Sequence, residues 1–481
     1  MRARTTFATA LAIATVGLTA AGCGGAGGAA SSDLGGAASV APSDSVGFVA
    51  LDTDVSSGEW QAVDGLLKKF PSQGDLMTTL QQSFEKNAKL NWETEVQPAL
   101  GSELDLIALP GTAGAKSPQL VGLTQPGDSS KLAALLPKLG KNVVSTQIGS
   151  WTAFSDSQAA LDAVQGATTK LADNNTYQAA NAKLSADALV RAYANGTEAQ
   201  QLLDSLGTQV PSGAAPTVPF AWASADVVAS GGGVQVNGYS RDGSLATLPA
   251  NRRQVTAQPY ASSLVDEIPS GAILVADFPV MPGQFEAGDP TSPTSPFEKL
   301  LGPDAAKLAA GLDAILGGES AVYIRPGLPI PEITLVTQPG DTAAATQALG
   351  DVIQTLKQAV GAKAGGLDLS SLAIVHAVNG GQLVVSTSQQ GIADFESAGP
   401  KLSSDPSFTS AQQASKMPGQ TTGFLYANLA SALPLLQTVG PFLGLQLPAN
   451  LQTDAGALRT LLAFGTRSGD EAAFTASLQV H

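Results

Sequence analysis

Cysteine and histidine are almost missing from this chain: among 481 residues Cys23 is the sole thiol, and His376 and His481 are the sole imidazoles. A lone thiol forms no intramolecular disulfide. Neither histidine stands at ligand spacing with cysteine, aspartate or the other histidine, which excludes the zinc-binding patterns. His376 falls in a strand-like run and reads as a half-buried strand residue. Asp52, Asp54 and Asp64 lack the Asp-x-Asp-x-Asp-Gly loop of a calcium site and read as a solvated acidic stretch. No Gly-x-Gly-x-x-Gly leads from a strand into a helix, and Gly231-Gly232-Gly233 reads as a hairpin turn. No cofactor is expected.

Positive charge is also scarce. Lysine and arginine number 25 against 40 aspartates and glutamates, a net charge of −15. That balance repels nucleic acid and an anionic membrane surface alike. Charged residues make up only 14% of the chain, below the usual share for globular proteins. The largest charge-free stretch after the first residues runs from Met417 to Thr453 and crowds Leu433, Leu435, Leu436, Val439, Phe442, Leu443, Leu445 and Leu447 together. It does not read as a membrane span, because Pro434, Pro441 and Pro448 interrupt any single helix. A pair of short helices covering a sheet is the expectation, with an exposed apolar patch suited to a lipid or partner as the alternative.

What the chain does have begins at its amino terminus. Arg2 and Arg4 precede an uncharged run from Phe7 to Ala21, which ends in Ala20-Ala21-Gly22-Cys23. A basic start, a short apolar core and small residues at the cut are the marks of a secretory signal. The ending resembles a lipobox, with Ala20 where leucine is commoner. That resemblance implies acylation of the Cys23 thiol, removal of residues 1–22, and attachment to the outer face of a membrane. Gly24 to Ser39 is nearly all Gly, Ala and Ser, so residues 23–40 are expected to act as a flexible tether reaching roughly 20 Å on average.

Beyond the tether the sequence echoes itself. Thr124-Gln125-Pro126-Gly127-Asp128 recurs as Thr337-Gln338-Pro339-Gly340-Asp341, and Phe84-Glu85-Lys86 recurs as Phe297-Glu298-Lys299 at the same spacing. Pro42-Ser43 answers Pro269-Ser270, Leu100-Gly101 answers Leu316-Gly317, Ser157-Gln158 answers Ser388-Gln389, and Tyr193-Ala194-Asn195 answers Tyr426-Ala427-Asn428. The order never breaks. The sequence therefore predicts two similar units, 41–245 and 262–481, joined by a linker at 246–261.

Periods of two and 3.6 alternate within a unit. Strands are expected at Val46–Leu51, Leu104–Leu109, Gln119–Leu123, Trp151–Phe154, Leu189–Ala194, Ala221–Val228 and Val234–Tyr239. Ser56 with Glu59 forms a capping box ahead of Trp60, Val63, Leu67 and Phe70, where the second unit has instead a Pro/Ser/Thr loop at 289–296. The Gln-Pro-Gly-Asp units read as type II turns followed by helices that Asp128 and Asp341 cap. Asn195 and Asn428 read as caps of the helices that follow them. The expected fold class is α+β: two tandem similar repeats, each a largely antiparallel sheet with helices packed on one face. The last strand, Phe474–Val480, alternates between an apolar and a polar face.

The lipobox, the Gly/Ser tether, a Pro-Ser ahead of the first strand and a strand ending in Tyr-Ala-Asn together resemble the bacterial envelope lipoproteins grouped as the domain of unknown function 3352 family. The resemblance covers nearly the whole mature chain and implies an envelope location without an assigned activity or catalytic residue. A serine hydrolase is the rival from another class, since Ser83-Phe84-Glu85-Lys86 fits Ser-x-x-Lys, where lysine helps deprotonate the serine. No Lys-Thr-Gly accompanies it, and Pro296 replaces the serine in the second unit. The expectation is a non-catalytic binding or structural module in the envelope, anchored through Cys23, with an unidentified partner or hydrophobic ligand and no nucleic acid.

Overall fold

The computed structural model describes residues 34–72, 90–110, 118–140, 142–206, 220–230, 232–243, 258–280, 304–327, 331–360, 374–439 and 453–481. Cys23, Ser83, both Phe-Glu-Lys segments, the 289–296 loop and the second half of the Met417–Thr453 stretch lie outside the described residues. The chain divides into two compact units. The first comprises Met1–Thr247 with Gly469–Ala473 and Leu478–Val480, and the second comprises Leu248–Ser468 with Phe474–Ser477 and His481.

In the first unit the strands are β1 (Gly47–Asp52), β2 (Glu103–Leu109), β3 (Gln119–Thr124), β4 (Val144–Ile148), β5 (Trp151–Ser155), β6 (Ala188–Asn195), β7 (Phe220–Ser230) and β8 (Gly233–Asp242). They lie in the order β8-β7-β6-β1-β2-β3-β5-β4. Every neighbouring pair is antiparallel. All seven expected strands are present, and β4 is an addition. Its polar Val-Ser-Thr-Gln-Ile carries little periodicity because it is an edge strand with largely exposed side chains.

The helices of this unit are α1 (Gly58–Leu67), α2 (Ser129–Leu139), α3 (Gln158–Gly166), α4 (Asn175–Asn181) and α5 (Gly196–Leu206). Asp128 caps α2 by accepting from Ser130 N at 2.9 Å and Lys131 N at 3.2 Å. Asn195 accepts from Thr197 N at 3.1 Å at the start of α5. The cap of α1 is Ser57, which accepts from Trp60 N, rather than the expected Ser56, whose hydroxyl turns to Asp54. The Gln-Pro-Gly-Asp segments are not type II turns, because neither Gly127 nor Gly340 has the positive φ that such a turn needs at its third residue. A tertiary contact decides the matter in the first unit: Asp128 N donates to Pro98 O at 3.0 Å and Gly127 N to Leu100 O at 3.4 Å, fixing the segment against the loop before β2.

The second unit holds β9 (Leu274–Val280), β10 (Gly318–Arg325), β11 (Glu332–Thr337), β12 (Val375–Asn379), β13 (Gln382–Ser386), β14 (Phe424–Asn428) and β15 (Leu458–Ser468), in the order β12-β13-β11-β10-β9-β14-β15. The last strand, β16, spans Glu471–Val480 and is divided between the units. Phe474 on it is 49% exposed, so the apolar residue that opens the expected alternation does not face the core. The helices are α6 (Ala305–Ile315), α7 (Thr342–Val360), α8 (Gln389–Glu396), α9 (Pro406–Ser415) and α10 (Leu429–Val439).

The structure is α+β with a large antiparallel sheet of 16 strands among the described residues. In each unit helices pack on both faces of its strands, which corrects the expectation of one. In the first unit Phe48, Ile107, Val121, Ala153 and Trp222 pack with residues of α3 and α4, while Phe154 and Leu104 on the opposite face pack with Leu132, Leu135 and Leu136 of α2. In the second, Val336 and Val384 pack under α8 and α9, whereas the alternate residues Leu335, Leu383 and Val385 pack under α6 and α7. The reason lies in runs such as Leu383-Val384-Val385, apolar in both phases, as befits a strand buried on two sides.

Close backbone approach joins the loop before β2 to the segment after β3. A Cβ on Gly101 would stand 1.9 Å from Gln125 O, at the place where the Gln-Pro-Gly-Asp segment docks. Replacing Gly101 with alanine is expected to lower stability by about 1–3 kcal/mol through overpacking, read as a lower midpoint of urea unfolding.

Candidate functional site

The groups of greatest chemical interest are acidic residues in otherwise apolar strands. In β2, Glu103 and Asp105 are two residues apart and so share a face of the sheet. Over them lies the chain's first described segment. Gly35 adopts φ +103°, open to glycine without strain, and leads into a 3₁₀ turn at Gly36–Ser39. The backbone N–H groups of Gly35 and Gly36 donate to Glu103 Oε1, and Ala37 N donates to Asp105 Oδ2 at 3.1 Å. Arg191 of β6 completes the clamp: its Nη1 donates to Leu34 O at 2.7 Å and its Nε to Ser185 O at 3.0 Å. Asp226, accepting from Ser185 N and Asn237 Nδ2, lies within the influence of the Arg191 charge.

This arrangement corrects the expected tether. Leu34, Ala37 and Ala38 are buried, so residues 34–40 belong to the folded unit. Ala and Gly in that stretch supply close packing, with Tyr177 and Trp151 against Gly35 and Gly36. Burial, and then the neighbouring Glu103 charge, push the Asp105 carboxyl well above its ordinary pKa. Two carboxyls side by side under a lid of backbone cannot both ionise at low cost, so Asp105 holds its proton more tightly than a free aspartate does.

A clamp of the same kind opens the second unit. Tyr260 Oη donates to Asp277 Oδ1, and Tyr260 exchanges backbone hydrogen bonds with Thr421. Ser262 Oγ lies 2.9 Å from Asp277 Oδ2 and 2.6 Å from Glu319 Oε1. Glu319 also accepts from Leu264 N and from both the N–H and the hydroxyl of Ser263. Asp277 is buried, which with the nearby Glu319 charge pushes it up to about 7 despite the hydrogen bonds from Tyr260 and Ser262. Burial also raises Glu319, but its hydrogen bonds from Ser262, Ser263 and Leu264 outweigh that and leave it below the ordinary glutamate value.

A lysine ties down the end of each arm. Lys170 Nζ donates to Val40 O at 3.3 Å and Val164 O at 3.5 Å. Lys401 Nζ donates to Glu267 O and Phe395 O, both at 2.9 Å, and lies 5.9 Å from the Phe395 ring centroid.

The first unit also has a cavity of about 690 Å³, bordered by Ser43, Asp44, Gln119, Thr168 and Thr169 over the small side chains of α3. Among the described residues no group of three or more His, Cys, Asp or Glu could hold a metal ion, and no helix is long and apolar enough to cross a membrane. Asp52 and Asp64 are engaged separately, Asp52 with Asp54 N and Ser57 Oγ, and Asp64 with Lys68. His376 does lie on a strand, β12, but is exposed rather than half-buried. Asn428 accepts from Ser431 N at 3.1 Å at the start of α10. Of the charge-free stretch, Leu433 is buried on α10 and Leu436 is 37% exposed.

Sequence reasoning missed Glu103, Asp105, Arg191, Asp277 and Glu319. A signal was available: charged residues at inward-facing positions of apolar strands require partners when buried. No protein-family model and no curated protein matches the sequence.

Replacing Arg191 with methionine removes the donors to Leu34 O and Ser185 O and leaves Asp226 without its cation. The expected cost is about 1–3 kcal/mol, with earlier proteolytic cleavage near Leu34 than in the unaltered protein. Equal cleavage rates would show that the arm is held by packing alone.

Proposed function

We propose that this chain is an exported lipoprotein, fixed to the outer face of a membrane through Cys23, whose folded body serves a non-catalytic binding or structural role in the cell envelope. The observation that carries the reading is the clamp on Leu34–Ala37. Only residues 24–33 separate Cys23 from a segment that Glu103, Asp105 and Arg191 bind to the sheet. A flexible stretch of that length spans roughly 17 Å on average. A lipid on Cys23 would therefore pull on the centre of the fold and hold it near the headgroups. The basic start, apolar run and Ala20-Ala21-Gly22-Cys23 ending support the same reading. A Cys23→Ala protein is expected to leave the membrane fraction of its host and to take up no labelled fatty acid.

The second part of the proposal is that the two units are copies of one ancestral fold. Support comes from strand order: adding eight to each label turns β7-β6-β1-β2-β3-β5-β4 into the order of the second unit, β15-β14-β9-β10-β11-β13-β12. The same Pro–Lys bridge recurs as Pro42 with Lys170 and Pro269 with Lys401. Tyr177 meets Tyr193 edge to face at 5.2 Å, and Phe408 meets Tyr426 at 5.1 Å.

The buried acid has changed strands between the two. Asp105 on β2 stands opposite Ala50 on β1, whereas in the second unit Asp277 on β9 stands opposite Ala321 on β10. Asp105→Ala is expected to cost about 1–3 kcal/mol by stranding Ala37 N. The pair Ala50→Asp/Asp105→Ala should recover at least half of that in urea unfolding. No recovery would count against shared ancestry of the two clamps.

A carrier of a hydrophobic ligand remains the alternative, favoured by the exposure of Leu436 within the charge-free stretch. Native mass spectrometry of protein extracted from membranes separates the two, since a carrier retains ligand mass. A serine hydrolase would be labelled by an active-site serine probe and lose the label in Ser83→Ala.

A further inference from the structure

Donor arithmetic in the second unit's clamp leaves a contact unexplained. Ser262 Oγ approaches Asp277 Oδ2 at 2.9 Å and Glu319 Oε1 at 2.6 Å, yet a hydroxyl has one proton to donate. If it donates to Glu319, the approach to Asp277 needs a proton from the aspartate. The other Asp277 oxygen already accepts from Tyr260 Oη, and both Glu319 oxygens accept from the arm's own N–H and hydroxyl groups. The arrangement that satisfies every contact is a chain: Tyr260 O–H to Asp277 Oδ1, protonated Asp277 Oδ2 to Ser262 Oγ, and Ser262 O–H to ionised Glu319.

We infer that the second unit carries a proton-gated clamp, in which one proton bound at Asp277 holds the Tyr260–Leu264 arm on the sheet and its loss at alkaline pH frees the arm.

Among the described residues no cation faces Asp277. From β10 it faces Glu319, and from the arm it faces Tyr260. On β14 its register partner is Phe424, and on β10 it is Ala321, neither of them titratable. Beyond the arm come Asp266 and Glu267. The Glu267 side chain accepts from Gln382 Nε2, and Lys401 donates to the carbonyls of Glu267 and Phe395 rather than to either acid of the clamp. On losing its proton, Asp277 would place a second negative charge beside Glu319 and turn the Ser262 contact repulsive.

The direction with pH follows from both acids. Asp277 holds its proton more tightly when folded, so its contribution is complete below about pH 4 and fades as pH rises through about 7. Glu319, with the opposite shift, contributes above its ordinary value and loses that contribution in acid. The clamp is therefore tightest in mildly acidic solution. Opening would uncover Leu264 and Ile268, both fully buried in the core of the unit, so release of the arm loosens the core with it.

Hydrogen exchange on the full chain tests this at the amides of Tyr260, Ser263 and Leu264, after correction for the intrinsic pH dependence of exchange. Protection should fall between about pH 4 and pH 7, by up to about tenfold per pH unit, the limit for one linked proton, and level off above. In Asp277→Asn, whose amide supplies the donor permanently, protection of the same amides should be flat from about pH 5 to 8. Flat protection in the unaltered protein, or an equal fall in the variant, would overturn the inference. Should the variant fail to fold, the carboxyl carbon-13 signal of Asp277 in the unaltered chain decides. Titration near neutrality supports the clamp, and a carboxylate already ionised at pH 5 refutes it.

Discussion

A backbone N–H that enters a protein interior must find an acceptor, and both units face this demand where the chain first enters the fold. The first turn of each lies over the sheet with its N–H groups pointing at strands, whose own carbonyls are committed to neighbouring strands. Side chains have to answer, and the carboxylates of Glu103 and Asp105, or of Glu319, do so. That answer creates a second demand. A carboxylate buried beside another disfavours its neighbour's charge, as Glu103 does for Asp105 and Glu319 for Asp277. In the second unit the hydroxyls of Ser262 and Tyr260 answer that demand with hydrogen bonds.

The composition then explains how such arms fit. Only 5% of the residues are aromatic while glycine alone contributes 52. Neighbouring elements of this protein approach where side chains vanish: Gly122 against the Phe154 ring, Gly311 against Val352, and Gly391 against Ser386 at the start of α8. Buried hydroxyls pair across neighbouring strands, as with Ser320 and Thr337 or Thr334 and Ser386.

How far this could be read from sequence depended on the range of the cause. Period-two runs located β1, β2, β3 and β5 to β8 to within three residues, because alternation is imposed by the strand itself. β4 escaped because an edge strand has no buried face to impose a pattern. Ser57 replaced Ser56 as the cap of α1 because its hydroxyl also donates to Asp52, a contact that only the folded sheet creates. Helices on both faces were visible in principle in runs such as Leu383-Val384-Val385. The same run fits a buried helix segment or a strand beneath two layers, and local pattern does not choose between them. The clamps were half legible. An acid inside Glu103-Leu104-Asp105-Leu106-Ile107 announces a buried charge, but its partner is backbone nearly seventy residues earlier, and backbone carries no sequence signature.

The position of Leu34 bears on how an anchor would act on such a body. A tether attached to a surface loop can pull that loop free and leave the sheet untouched. Here the chain passes from the Gly/Ala/Ser stretch directly into a segment whose N–H groups are bonded to β2 and whose carbonyl is bonded to β6. Those strands flank β1 on its two sides, so a load applied through residue 34 is shared among the three central strands of the first unit. Glu103 then matters mechanically as well as chemically, because its carboxyl accepts from the N–H groups of Gly35 and Gly36 next to Leu34.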